Sequence, residues 1–376
     1  MRLAMARRLP LGLVTSLPLG AGVRTDVPLS GYTTLRLGGP AADFVAAATA
    51  AEVVDAVRAA DSAGTPLLVL GGGSNLVIAD EGFDGTVVRV ANRGSKIDCT
   101  SPGRVQLTVE AGEDWDTVVS GTVEAGLGGL ECLSGIPGFV GATPVQNVGA
   151  YGVEIAQVLV SVDLLDRETT EVRTLDVSEL GLGYRTSILK GTDRAVVLRA
   201  RFELVDDGMS APIRYTELAR ALGVRQDERV PVAAAREAVL NLRRGKGMVL
   251  DPLDHDTWSA GSFFTNPIVA DADIEGVMAR IVERVGPDVS VPKYPAGPGA
   301  SKLSAAWLIE RAGFAKGHAG PGGRVALSAK HTLALTNRGT ATTADLLALA
   351  AEVRDGVRAT FGVDLHPEPV LVNCEL

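Results

Sequence analysis

Residues 133–152 read LSGIPGFVGATPVQNVGAYG, with five glycines and two prolines between segments patterned as strands. Glycine adopts backbone conformations that other residues avoid, and it lets another backbone or a ligand approach closely. A segment of this kind cannot continue a regular helix or strand. It predicts either a stack of tight turns or a loop fitted around a flat or elongated ligand.

A second glycine-rich loop, VLGGGSNLV at residues 69–77, follows a strand-like segment. Consecutive glycines allow backbone N–H groups to converge on an anion such as a pyrophosphate. The loop is not a Walker motif, because no Lys-Ser/Thr pair follows, and it does not open a helix as G-x-G-x-x-G does. Alone it is also compatible with a turn between strands, but two such loops in one half of the chain favour a dinucleotide cofactor.

Hydrophobic patterning predicts a mixture of helices and strands. Residues 43–70 read as strand, helix and strand; Thr49 and Glu52 form a capping box, and Gly64 ends the helix. Residues 92 to about 210 are mostly β-patterned around one helix near 115–125, and DRET (166–169) reads as a hairpin turn.

The C-terminal half is predicted to be richer in helices. A charged segment at 212–256 reads as helical, and further helices are expected at 271–285, 302–312 and 344–361, the last N-capped by Thr343. The stretches HTLALTN and PVLVN read as strands, and VPKYPAGPGASK reads as an exposed loop.

Composition excludes several classes of protein. A chain of 376 residues suffices for two or three domains, and its net charge of −9 argues against a general nucleic-acid binder. Three distant cysteines suggest neither a disulfide framework nor a zinc site, and they favour a reducing compartment. His318 and His331 lie in unrelated contexts, so no metal site is expected.

Membrane and export signals are weak. No run approaches the roughly 20 apolar residues that span a bilayer. The N-terminal stretch is basic and partly apolar, but Pro10 and Pro18 interrupt it. Residues 1–21 are therefore read as a disordered extension or as the product of an early start codon.

Five motifs in series carry a family resemblance: VLGGGSNLV, IPGFVGATPVQNVGAYG, GYRTSILK, AGSFFTNP and HPEPVLV. Over about residues 22–373 the chain resembles the UDP-N-acetylenolpyruvoylglucosamine reductases, flavoenzymes of bacterial cell-wall synthesis, on which cell shape and division depend. The resemblance implies an α+β protein, with an FAD-binding fold of the vanillyl-alcohol-oxidase type and a C-terminal substrate-binding domain that closes over the flavin. The implied boundaries are 22–91 (completed by 363–376) and 92–250 for the two FAD-binding subdomains, and 251–362 for the substrate domain.

The resemblance also implies FAD as cofactor and NADPH as hydride donor. The first glycine loop would cradle the pyrophosphate, and the second would lie along the rest of FAD. Covalent attachment is not expected, because neither loop contains a histidine and Cys132 only borders the second. The predicted cofactor contacts are Gly71, Gly72, Gly73, Ser74, Asn75, Leu76, Ile136, Pro137, Gly138, Gly141, Gln146, Asn147, Gly149, Ala150, Tyr151 and Gly152.

Three residues match the family's catalytic positions. Hydride would reach C3 of the enolpyruvyl group, and Ser262 would protonate C2; this assignment needs no histidine beside the serine. Arg185 would pair with the substrate carboxylate, while Glu368 would polarise the same carboxylate or orient Arg185 and a water. Without the resemblance, Ser262 reads as a turn cap, Arg185 as a surface ion-pair partner and Glu368 as an exposed strand-end carboxylate.

Substrate contacts are implied for Tyr184, Arg185, Tyr215, Lys246 and Asn266. An inserted loop, GMVLDPLDHDTW, lies between Lys246 and Ser262. A cytoplasmic monomer is expected, which uses UDP-N-acetylglucosamine enolpyruvate and needs no metal. Two alternatives are an FAD-linked oxidase of a small alcohol or sugar on the same scaffold, and a nucleotide-binding regulatory protein with a degenerate site.

Overall fold

The computed structural model of the protein describes residues 22–376. The predicted extension at 1–21 lies outside the described residues. Two compact units are present, and the predicted domain boundaries stay predictions. Unit 1 contains 22–27, Ala41–Gly73 and Asp84–Gly245, and unit 2 contains Pro28–Pro40, Ser74–Phe83 and Lys246–Leu376.

Helices and strands alternate irregularly along the chain, which confirms the predicted α+β class. The strands are β1 (Arg24–Pro28), β2 (Pro40–Ala47), β3 (Leu67–Leu70), β4 (Leu76–Ile78), β5 (Phe83–Val90), β6 (Ser95–Ser101), β7 (Arg104–Glu110), β8 (Leu127–Gly128), β9 (Gly149–Ala150), β10 (Val153–Glu154), β11 (Leu159–Asp166), β12 (Glu171–Asp176), β13 (Ala195–Asp206), β14 (Ile268–Ala270), β15 (Lys293–Pro295), β16 (Ala300–Leu303), β17 (Val325–Leu327), β18 (Leu335–Asn337) and β19 (Val370–Val372). The helices are α1 (Ala50–Ala63), α2 (Trp115–Glu124), α3 (Thr216–Leu222), α4 (Val232–Gly245), α5 (Asp271–Val285), α6 (Ala305–Arg311) and α7 (Thr343–Phe361).

Unit 1 is built around two sheets. One has the order β1-β2-β5-β3, and the other has six strands in the order β12-β11-β13-β7-β6, with β8 paired to β13. Alternating aliphatic residues of these strands point into one core, in which Trp115 and Phe202 pack edge to face at 5.9 Å. The turn after β11 closes a hairpin that pairs Asp166 with Glu171, as the DRET sequence predicts.

The first helix begins and ends where the sequence predicts. The Thr49 side chain accepts a hydrogen bond from the backbone N–H of Glu52, and the Glu52 carboxylate accepts one from that of Ala48. Gly64 ends α1 with a left-handed φ of 64°. These bonds satisfy helix-end groups that would otherwise lack partners.

Unit 2 has small sheets packed with α5, α6 and α7. Their orders are β14-β16-β15, β17-β18 and β19-β4, of which the last pair is parallel. Phe263, Phe264 and Phe361 are fully buried in the core of this unit. The C-terminal strand therefore pairs with the strand that follows the first glycine loop.

Five local predictions are wrong in whole or in part. The cap of α7 is Thr342 and not Thr343, because Asp345 lies three residues after Thr342 and completes a capping box. Residues 302–304 precede α6, and Lys302 lies in β16. The stretch VPKYPAGPGASK contains most of the β15–β16 hairpin. In 212–256, only α3 and α4 are α-helical, and the strand predicted at HTLALTN is limited to β18.

Candidate active site

The two predicted cofactor loops touch through glycine backbone in unit 1. A Cβ added to Gly72 would lie 2.7 Å from the Cα of Gly138 and 3.2 Å from the backbone N of Phe139. Carbon atoms in favourable contact lie about 3.5–4.0 Å apart. Only glycine at position 72 therefore permits this approach of the two loops.

Positive charge lies beside the junction of the loops. The guanidinium carbons of Arg89 and Arg93 lie 5.6 and 5.1 Å from the centre of the Phe139 ring. Arg93 also pairs with Glu113 at 3.1 Å. A side-chain-free backbone at 71–73 next to arginines fits the diphosphate of FAD chemically.

The start of the second glycine loop is held by Asp116, a residue that the sequence analysis did not select. Its carboxylate accepts a hydrogen bond from the backbone N–H of Gly135 at 2.6 Å and pairs with Arg236 at 2.6 Å. Burial would raise the pKa of Asp116, but the bonds from Arg236 and Gly135 outweigh it and lower the pKa. Asp116 is therefore an anion that fixes the entry to the loop.

Arg236 and Arg243 were also missed by sequence reasoning. Both follow the spacing of the buried residues Val232 and Val239 on α4, which places them on the packed face of the helix. Burial lowers the pKa of Arg243, although Tyr151 and Asp116 counteract it. An arginine in register with an apolar stripe is the signal that would have identified them.

The second loop ends in a tight hairpin of β9 and β10. Its central residues, Tyr151 and Gly152, have φ of 50° and 82°, as a type I′ turn requires. A left-handed conformation is uncommon for tyrosine, and such strain concentrates at functional sites. The Tyr151 ring packs edge to face against Tyr215 at 5.5 Å, so two predicted ligand contacts lie side by side.

Arg185 lies in a turn at 183–186 that is closed by backbone hydrogen bonds between Gly183 and Thr186. Its φ of 53° is left-handed. Arg185 Nη2 donates to the carbonyl of Gly149 at 3.0 Å, and its guanidinium lies 5.5 Å from the centre of the Tyr184 ring. The structure thus brings Arg185 and Tyr184 to the same end of the second loop as the Tyr151–Tyr215 pair.

Ser262 lies in unit 2, at the start of a segment whose backbone is hydrogen-bonded to two other parts of that unit. Gly261 before it has φ of 77°, and Phe263 and Phe264 after it are buried, while Ser262 itself is half-buried. The backbone N–H of Phe263 donates to Leu333 at 2.7 Å, and its carbonyl accepts from Glu368 at 2.8 Å. The backbone of Glu368 therefore pairs with that of the residue after Ser262, although positions 262 and 368 lie 106 apart in the chain.

The end of the first glycine loop reaches the same place in unit 2. Asn75 Nδ2 donates to the Glu368 carbonyl at 3.4 Å, and the Asn75 carbonyl accepts from Val370 at 2.9 Å. Nearby in sequence, Asn266 accepts a hydrogen bond from the backbone of Ala305 at 3.0 Å, next to the N-terminus of α6. A predicted cofactor contact, Asn75, thus lies directly beside a predicted catalytic residue.

One further predicted substrate contact is Lys246. Lys246 follows α4 directly and is half-buried. Within 22–376, no group of three or more His, Cys, Asp or Glu side chains is arranged to hold a metal ion. No helix in that part of the chain has the length and apolar character needed to cross a membrane.

Comparison with known proteins points to one family. The model of the UDP-N-acetylenolpyruvoylglucosamine reductase C-terminal domain matches residues 251–372, and an FAD-binding-domain model matches 41–176. The UDP-N-acetylenolpyruvoylglucosamine reductase of Saccharopolyspora erythraea is 70% identical over 357 residues, covering 95% of this chain and 98% of the relative. That of Nocardia farcinica is 60% identical over 357 residues, covering 95% and 91%.

A solved structure agrees with the sequence relatives. The UDP-N-acetylenolpyruvylglucosamine reductase of Thermus caldophilus is 26% identical and superimposes with a TM-score of 0.62. The match covers 93% of this chain and all of that one. The likeness therefore extends over both units and is not limited to one domain.

Proposed function

From the premise that the chain belongs to the UDP-N-acetylenolpyruvoylglucosamine reductase family, we propose that it reduces UDP-N-acetylglucosamine enolpyruvate to UDP-N-acetylmuramate. The two glycine loops would hold FAD, which would supply the hydride for C3 of the enolpyruvyl double bond at the expense of NADPH. A proton must then be added at C2, so that the enol ether becomes a saturated lactyl ether. The observation that supports the catalytic assignment most is the pairing of the Ser262 segment with Glu368.

Ser262 is proposed to donate the proton to C2. An alcohol is a weak acid, but the carbon that receives the proton carries enolate-like charge and is far more basic than a carboxylate. A donor on a rigid support needs little reorganisation to act. The buried Phe263 and Phe264 provide that support, because their burial fixes the backbone next to Ser262.

Arg185 is proposed to pair with the substrate carboxylate. Its planar guanidinium can bind a carboxylate through two parallel hydrogen bonds and stabilise the charge that grows during reduction. One of its nitrogens already donates to Gly149, which fixes the direction of the side chain. Glu368, beside Ser262, would polarise the same carboxylate or orient a water.

The diphosphate of the substrate is proposed to contact Tyr215, Lys246 and Asn266, which offer a cation and hydrogen-bonding groups. We further propose that FAD is bound non-covalently and that the protein acts as a cytoplasmic monomer. The described part of the second loop contains no histidine that could attach to the flavin ring.

An absorbance spectrum followed by anaerobic titration tests the proposed reaction. The purified protein should be yellow, NADPH should bleach the flavin, and UDP-N-acetylglucosamine enolpyruvate should restore its absorbance with formation of UDP-N-acetylmuramate. Reduced flavin that is reoxidised only by oxygen, together with oxygen consumption on simple sugars or alcohols, would contradict the proposal and favour an oxidase.

A further inference from the structure

We propose that Asn147 is a positioning residue for Arg185. Its side chain joins the end of the second glycine loop to the turn that carries Arg185. The inference rests on the proposed function, because it concerns how Arg185 is held for the substrate carboxylate.

The Asn147 side chain is buried, with 1% of its surface exposed, and it is engaged by protein groups at both ends. Its Nδ2 donates to Glu154 Oε2 at 2.9 Å and to the carbonyl of Gly183 at 3.0 Å. Its Oδ1 accepts from the backbone N–H of Ala156 at 3.0 Å. The Nδ2 protons are therefore both used within the protein, and a contact with FAD would be left to the Asn147 backbone.

These bonds act on both segments that define the position of Arg185. Gly183 opens the turn that contains Arg185, and its carbonyl is held by Asn147. Gly149 lies two residues after Asn147, and its carbonyl holds the Arg185 guanidinium. Glu154, which accepts the other Nδ2 hydrogen bond of Asn147, pairs with Gly149 across the β9–β10 hairpin. It therefore belongs to the same group of contacts around Arg185.

Backbone conformation makes this support necessary. Asn147 and Arg185 have left-handed φ of 47° and 53°. Such conformations are unfavourable for residues with a side chain and persist only where surrounding contacts hold them. Asparagine suits position 147 because it tolerates this region and supplies two donors and an acceptor.

Aspartate at position 147 separates positioning from packing, because Asn147→Asp keeps the size of the side chain but removes both donors. Its carboxylate would face Glu154 and the Gly183 carbonyl. We expect reoxidation of the reduced flavin by UDP-N-acetylglucosamine enolpyruvate in a single turnover to slow by about 100-fold, since a displacement of about 1 Å costs that much. Flavin reduction by NADPH should change by less than about threefold.

Asn92 offers a matched control in unit 1. It is also 1% exposed, donates to Glu110 and to the Leu198 carbonyl, and accepts from Gly112. Asn92→Asp therefore removes the same set of bonds at a place that does not hold the Arg185 turn. It should lower the melting temperature about as much as Asn147→Asp while both half-reactions keep their rates.

A double-mutant cycle decides whether Asn147 acts through Arg185. In an Arg185→Lys background, Asn147→Asp should slow reoxidation no further than about threefold. A full 100-fold loss in that background would overturn the proposal, as would an equal loss in Asn92→Asp. If Arg185→Lys alone keeps the wild-type rate, the proposed role of Arg185 is wrong and that of Asn147 falls with it. Asn147→Ala, which adds no charge, carries the same expectations if the aspartate variant does not fold.

Discussion

The contact between the two glycine loops can be tested by adding one carbon atom to Gly72. In Gly72→Ala the new Cβ would lie 2.7 Å from the Cα and 3.0 Å from the carbonyl carbon of Gly138. These atoms belong to the backbone, so the loops must separate by about 1 Å to reach an ordinary carbon–carbon distance. Such overpacking costs about 1–3 kcal/mol, and at about 2 kcal/mol the melting temperature should fall by about 4–8 °C.

The affinity of Gly72→Ala for FAD should fall together with its melting temperature. FAD binds to the closed arrangement of the loops. The free energy needed to close them against the added methyl group is therefore lost from the binding free energy of FAD. Since about 1.4 kcal/mol corresponds to a factor of ten, the dissociation constant of FAD should rise about 10- to 100-fold. Fluorescence titration of the apoprotein with FAD measures this change, and a thermal scan without FAD measures the stability.

Gly71→Ala separates the two effects. Its Cβ would meet only the Cβ of Phe139, at an ordinary 3.8 Å, so the melting temperature of the apoprotein should stay unchanged. Its FAD affinity should fall only if the pyrophosphate lies against this backbone. A Gly72→Ala apoprotein with wild-type melting temperature and FAD affinity would refute the reasoning.

Three further predictions concern charge, cysteine reactivity and flavin attachment. Asp116→Asn should lower the melting temperature at pH 7, because the lowered pKa of Asp116 stabilises the fold while the group is ionised. This deficit should begin to shrink as the pH falls through 3.8, the pKa of a free aspartate, and should vanish only below the lowered pKa of the folded state; a deficit that does not change between pH 7 and pH 3 would contradict it. Burial, with the nearby Glu131, raises the pKa of Cys132 to about 12, so iodoacetamide at pH 8 should label the exposed Cys99 first and Cys132 only after unfolding, as peptide mass spectrometry can show. Acid precipitation should leave the flavin in the supernatant, and flavin retained with the polypeptide would disprove non-covalent binding.

The sequence predicted the family, the FAD-binding region and the ends of α1, because these depend on local motifs. The resemblance read from five motifs is confirmed by the relatives and by the matched domain models. The backbone bond between Phe263, next to Ser262, and Glu368 was not predicted and is a finding of the structure. The individual roles of the site residues stay predictions.

Features that depend on tertiary contacts could not be predicted. Asp116 and Gly135 lie 19 positions apart and meet only when α2 packs beside the loop. Asn147 looks like a ligand contact in a glycine-rich loop, yet its side chain is buried among protein groups. Pro295 and Gly299 concealed the strands β15 and β16, because cross-strand pairing outweighs local preference there.

Two features that were not predicted could have been read from the sequence. Thr342 and Asp345 have the spacing of a capping box, so the start of α7 was readable from the sequence. The arginines on the packed face of α4 could likewise have been identified, because each lies four residues after a buried valine of that helix. Both signals were local, and neither needed the fold.

Ser262→Ala, studied by anaerobic stopped flow, tests the central claim most directly. Reduction of the flavin by NADPH should proceed at the wild-type rate, because no proton is donated to C2 in that step. Reoxidation by UDP-N-acetylglucosamine enolpyruvate should slow by several orders of magnitude, because the donor is missing. Equal loss in both steps, or wild-type reoxidation, would contradict the assignment of Ser262 as the proton donor.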